Sequence, residues 1–127
     1  MNQKTILATG CVLAAATVAL GAFGAHGLKE TLEVNQRADT FELAIRYQFY
    51  HTFGILLLGA VGRMISEKHT RLAFVLFIGG ILLFSGSLLI LSLTNQTKLG
   101  MITPIGGLCF IAGWLVTALG FRNSSSD

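Results

Sequence analysis

Charge is what this sequence most lacks. Asp, Glu, Lys and Arg together make up 12% of its 127 residues, where an average soluble domain carries about 25%. That deficit argues against a soluble fold. The charges present leave long gaps: between Lys4 and Lys29, Arg46 and Arg63, Arg71 and Lys98, and Lys98 and Arg122 lie 24, 16, 26 and 23 residues without any Asp, Glu, Lys or Arg. Cysteine is scarce too. Cys11 and Cys109 both fall inside apolar stretches, where neither metal-ligand spacing nor an oxidising loop is at hand, so they read as small packing residues. The sequence has no Cys-x-x-Cys-His, no four-ligand set and no paired carboxylates within an apolar stretch. Metal, haem and catalytic sites are therefore not expected.

The net charge of +3 comes from nine basic residues scattered singly, not gathered into the patch that nucleic acid requires. Residues that are 53% apolar suit a bilayer, whose core of about 30 Å is crossed by about 20 apolar residues in a helix. The four gaps predict an all-α, four-helix integral membrane bundle in one domain over 1–127, with spans at about 5–25, 40–64, 72–93 and 104–121. A polar outer connection at 27–39 and a short disordered tail at 123–127 complete the expectation. Four spans put Lys4, Arg63, Lys68, Arg71 and Arg122 on one side, against Lys29, Arg37, Arg46 and Lys98 on the other. The positive-inside rule then places both termini in the cytoplasm, the protein being multi-pass in the plasma membrane.

The first span has rivals. Leu7 to Cys11 is similar to a lipoprotein cleavage site, but too few apolar residues precede the cysteine. A signal peptide cleaved near Ala22 to Ala25 would strand His26, so an uncleaved helix is preferred. That helix is rich in Ala and Gly, which let backbones approach closely. Asp39 with Glu42 three residues later reads as a capping box for the second span. Thr103 before Pro104 reads as an N-cap followed by proline at the first helical position. Gly79 and Gly86, and Gly106, Gly113 and Gly120, recur every seven residues and predict close helix seams. Ser85 and Ser92 share that spacing, and Trp114, in mid-span, reads as a packing residue.

The densest polar cluster is Phe41 to His51. Arg46 and Arg63 are 17 residues apart, about 25 Å of helix, so one arginine must lie within the hydrocarbon or snorkel from it. Arg46 has Glu42 one turn away and is expected to pair with it. On a helical wheel Tyr47, His51, Gly54, Leu58 and Gly62 share a stripe, with Glu42, Arg46 and Tyr50 beside it. The plain reading is that Glu42, Arg46, Tyr47 and His51 lock the second helix against the first. The sharper reading is a transport site in which Glu42 or His51 titrates. His26 and His51 do not suit a shared axial pair, since they stand about 32 Å and about 17 Å from the inner boundary by helical rise. Ser85-Gly86-Ser87 has no placed base, and no repeat relates the two halves of the chain.

Four stretches together carry a resemblance: Gly21-Ala22-Phe23-Gly24-Ala25-His26-Gly27-Leu28-Lys29, Phe41 to His51, Phe84-Ser85-Gly86-Ser87-Leu88, and Thr103-Pro104-Ile105-Gly106-Gly107 with Gly113-Trp114. The sequence resembles the family called domain of unknown function 423, small four-helix membrane proteins to which no activity is assigned. Leu89 departs from the tyrosine common in that family at the third motif. The resemblance implies a multi-pass membrane protein, and its motifs give His26, Glu42, Arg46, Tyr47, Gln48, His51, Ser85, Ser87, Thr103 and Pro104 as candidate site residues. The expected function is non-enzymatic: a structural or accessory protein, in a homo-oligomer or larger membrane complex, packed through glycine seams. The alternative is a small-solute or ion transporter using Glu42, Arg46 and His51, and a haem or quinone subunit is a weaker third.

Overall fold

Helices account for every regular element among residues 1–123, the part of the chain that the computed structural model describes. Helix α1 (Gln3–Ala25) starts where the Asn2 side chain accepts a hydrogen bond from the Lys4 amide at 3.0 Å, an N-cap that satisfies one free donor of the first turn. A short helix α2 (Lys29–Val34) follows, then α3 (Ala38–Val61). Next come α4 (Glu67–Gly80), one π-helical turn (Ile81–Ser85) and α5 (Gly86–Thr94), continuous along one axis from Glu67 to Thr94. Asn95, left-handed at φ 59°, ends α5, a role to which its short polar side chain suits it. A 3-10 turn (Thr97–Met101) leads into α6 (Thr103–Asn123).

Glycine sets how these helices meet. No described glycine has a positive φ, so the value of glycine here is the missing side chain, which lets neighbours close in. Along α1 and α3, Gly10 takes Leu56, Gly59 takes Leu7, Gly62 takes Gln3 and Gly24 takes Phe41. The partner numbers fall in one helix as they rise in the other, so the two run antiparallel over their full length. Gly80 takes Phe110, and Gly106, Gly113 and Gly120 take Phe84, Phe77 and Ile65, which makes α4 and α6 a second antiparallel pair. The pairs join through α3, which packs on α4, the π turn and α5. Their shared core holds Ile6, Ile55, Leu58, Ala73, Phe77 and Phe110.

Several expectations change. Three helical stretches are long and apolar enough to cross a membrane, Gln3–Ala25, Glu67–Thr94 and Thr97–Asn123, not four. Helix α3 misses the mark because Asp39, Glu42, Arg46, Gln48 and His51 crowd its first half. The outer connection is not plain coil, since it contains α2, anchored by buried Leu32. A latch also holds it: Asn35 Nδ2 donates to the Ser92 and Leu93 carbonyls at 3.1 and 3.2 Å, and Arg37 Nε donates to Asn95 Oδ1 at 2.9 Å. Asp39 caps nothing, because α3 begins a residue earlier and Arg37 holds the N-cap position without a side-chain bond. Thr103 is the first helical residue of α6 and not its cap, which moves Pro104 to the second. Cys11 faces outward instead of packing. Of the tail, Asn123 belongs to α6, and 124–127 lie outside the described residues.

The seam of the third span is corrected most. A side chain at Gly79 would meet nothing within 4 Å, and one at Gly86 would meet only the Ile81 carbonyl of its own helix, at 3.8 Å. Between them the Gly86 amide bonds to the Ile81 carbonyl, five residues back. Such a turn takes up an extra residue and rotates Gly86 off the stripe that a seven-residue spacing would give it. Ser85, the last residue of that turn, and Ser92 in α5 are both fully buried.

Candidate functional site

Eight of the ten candidate residues separate into three places, and two stand apart. Where α1 ends and α3 begins, beside α2, Glu42 and Arg46 line a cleft of about 370 Å³ with Gly21, Gly24, Phe41 and Ile45. Both charged side chains are uncovered, and no ion pair joins them, so the expected Glu42–Arg46 pairing is absent from this structure. Space stays open beside Gly21, where a Cβ would touch only Ile45 Cγ2 at 3.7 Å, whereas the notch at Gly24 is filled by Phe41.

Below the cleft lies a row of hydrogen bonds between helices. Gln48 on α3 donates from Nε2 to Thr17 Oγ1 on α1 at 2.7 Å, and the Thr17 hydroxyl donates on to the Leu13 carbonyl at 2.6 Å. One turn earlier on α3, the Ser85 hydroxyl donates to the Ala44 carbonyl at 2.8 Å. Ser87 donates to the Phe84 carbonyl at 3.0 Å, and its Oγ lies 2.6 Å from Thr103 Oγ1. Gln48, Thr17, Ser85 and Ser87 are all buried, and a buried polar group without a partner carries a heavy desolvation cost. The bonds that cross between helices, Gln48 to Thr17, Ser85 to Ala44 and Ser87 to Thr103, therefore specify which helix faces which. Among the described residues, only Thr52 Oγ1 is buried without a partner.

The third place is aromatic. His51 is buried and donates from Nδ1 to the Tyr47 carbonyl at 2.7 Å, the carbonyl being able only to accept. Its ring lies flat on Phe110, with centroids 3.4 Å apart and 8° between planes. Tyr47 stacks on Phe84 at 4.7 Å, and Phe77 meets Trp114 edge-on at 4.9 Å. Gly54 makes room here, since a side chain there would press on Phe77 and Trp114 at 3.2 Å. The two outliers are His26, exposed as the C-cap of α1, and Pro104, exposed in the first turn of α6. Neither joins the cluster.

With this geometry in view, comparison with known proteins is specific. The family model described as "Protein of unknown function (DUF423)" matches residues 20–107. The chain belongs to the DUF423 family. Its curated relatives carry the name UPF0382 membrane protein. One from Staphylococcus haemolyticus is 42% identical over 114 residues, spanning 90% of this chain and 92% of the relative. YwdK of Bacillus subtilis is 36% identical over 116 residues, 90% and 93% of the two chains. One from Haemophilus influenzae is 40% identical over 109 residues, 86% of each. No solved structure matches. This DUF423 chain is thus an all-α membrane protein with membrane-spanning helices.

The matched segment takes in all ten candidate residues. It leaves out Thr17, which receives the Gln48 bond, and Phe110, which carries the His51 ring. Both lie outside the motifs and were missed in the sequence. Thr17 is flanked by alanines and a valine in the middle of α1, and a hydroxyl in so apolar a stretch is a signal worth reading as a partner for a polar residue elsewhere. Asn35, Arg37 and Asn95 were missed as a latch, although an asparagine just past a helix end is a usual left-handed cap.

Proposed function

We propose that the chain is a multi-pass protein of the plasma membrane with both termini in the cytoplasm, and that its role is structural or accessory, not enzymatic. One observation carries the proposal: three polar contacts of the interior join neighbouring helices, Gln48 to Thr17, Ser85 to the Ala44 carbonyl and Ser87 to Thr103. Groups spent on holding helices together are not free to bind or carry a solute. Helix α3 is the fourth crossing in this reading. It runs antiparallel to α1 along the whole of an apolar helix long enough to span the membrane, so the two share one layer.

The partner is a second copy or a larger membrane complex, but the seams first expected to join them have other uses. Gly106, Gly113 and Gly120 are filled by residues of the same chain, which leaves the apolar outer faces for assembly. Native mass spectrometry of protein extracted gently from its own membrane tests the reading. A mass above that of one chain is expected, and a single-chain mass alone contradicts the accessory role.

A second reading, transport by Glu42, Arg46 and His51, is favoured by the charged cleft but weakened by its geometry. His51 does not line the cleft and is 5% exposed beneath Phe110. In proteoliposomes, pH-dependent flux that His51→Ala abolishes would establish transport in place of the accessory role. Flux indifferent to that change removes His51 from any path.

A further inference from the structure

The outer cleft presents an unmet electrostatic requirement. Glu42 and Arg46 stand one helical turn apart, and neither makes an ion pair or a side-chain hydrogen bond among the described residues. If α3 crosses the membrane as proposed above, with Arg63 at the inner boundary, Arg46, 17 residues away and so about 25 Å along the helix, lies inside the outer edge of a hydrocarbon layer about 30 Å thick. A lone charge at that depth is costly unless a partner meets it. The rest of the wall is apolar: Gly21, Gly24, Phe41 and Ile45. A volume of about 370 Å³ falls in the range of about 300–1,000 Å³ typical of small-molecule sites.

Charge complementarity selects the occupant. A purely anionic headgroup would meet the Glu42 carboxylate, and a cation would meet Arg46. A zwitterion with an anion and a cation two carbons apart satisfies both, since side chains at i and i+4 stand about 5–6 Å apart at Cβ. Guanidinium matches phosphate in a bidentate fork. A carboxylate bonds best to an ammonium that carries N–H donors, which a quaternary ammonium lacks. The apolar wall and the depth call for an attached acyl chain. We propose that this cleft holds the headgroup of an ethanolamine phospholipid, its phosphate on Arg46 and its ammonium on Glu42, with the acyl chain leaving along Gly21 and Ile45.

The test is native mass spectrometry of the full chain in detergent with equal amounts of phosphatidylethanolamine, phosphatidylglycerol and phosphatidylcholine, and separately with inorganic phosphate. The ethanolamine lipid should be retained one per chain, about tenfold or more over the other two, as expected when a charge-assisted hydrogen bond is gained or lost. Glu42→Gln should bring the ethanolamine-to-glycerol ratio to about one, and Arg46→Gln should remove retention of both. Gly21→Leu should empty the cleft with an unchanged thermal melt, because a Cβ there would touch only Ile45 Cγ2 at 3.7 Å. If Gly21→Leu lowers the melt, the two charge variants decide, as neither side chain has an intrachain partner to lose. Equal retention of the three lipids, a preference that survives Glu42→Gln, or binding of inorganic phosphate without lipid would overturn the proposal.

Discussion

Gly106→Leu is expected to cost at least about 3 kcal/mol of stability, the upper end of what overpacking a core costs. A side chain there would run into the backbone, not the end of a flexible side chain: it would meet the Phe84 amide nitrogen, with Leu83 C and Phe84 Cα 2.8 Å away. Those atoms belong to the π turn, which cannot shift without disturbing the Ser85 bond to Ala44 and the Ser87 contact with Thr103. The sequence alone casts Gly106 as part of a seam between molecules, where leucine would weaken assembly and spare the fold. The structure places the contact inside one chain. Thermal unfolding in mild detergent distinguishes the two: a large drop in Tm for Gly106→Leu, and next to none for Gly79→Leu, whose position is open. A wild-type Tm for Gly106→Leu would refute the intramolecular contact.

Phe77→Ala should be the other severe lesion, at about 3–5 kcal/mol for loss of a buried phenylalanine. Phe77 is fully buried and touches much of the core at once. Its ring fills the notch at Gly113, meets Trp114 at 4.9 Å and lies 5.8 Å from His51. Two glycines, Gly54 and Gly113, lie against this ring, so the gap left by alanine could not be closed without drawing helices together. Trp114, the single tryptophan, reports the change directly, since its emission should shift as water or detergent enters. Unchanged emission together with an unchanged Tm would show that the site collapses freely, contrary to the packing described.

The sequence carried the coarse plan well, because hydropathy and small-residue spacing are local properties. Each charge-free gap overlaps a long helix, although α3 begins at Ala38, well ahead of the gap after Arg46, and Gly106, Gly113 and Gly120 all meet residues of a neighbouring helix or its flank. Spacing failed where helix geometry changed. Nothing in Ile81 to Ser85 announces the π turn, which packs against Gly106 of another helix, so equal spacing gives Gly79 and Gly86 a shared face that they do not have. Pairing by nearness in sequence also misled. Glu42 and Arg46 are ideal i,i+4 neighbours, yet both line the cleft unpaired, while Gln48 bonds to Thr17, 31 residues away. Of the candidate site, Gln48, His51, Ser85, Ser87 and Thr103 were found to be bonded inside the bundle, whereas His26 and Pro104 stand apart.

These bonds and notches depend on α3 crossing the same layer as its neighbours despite its charged first half, and that is the claim most open to direct attack. Single cysteines at Gln36, Lys68 and Lys98, all exposed, in a chain with Cys11 and Cys109 replaced by alanine, can be labelled in intact cells with a membrane-impermeant maleimide. Labelling from outside is expected at Gln36 and Lys98, and at Lys68 only after the membrane is opened. Labelling of Gln36 and Lys68 from the same side would show that α3 does not cross and would overturn the four-crossing arrangement.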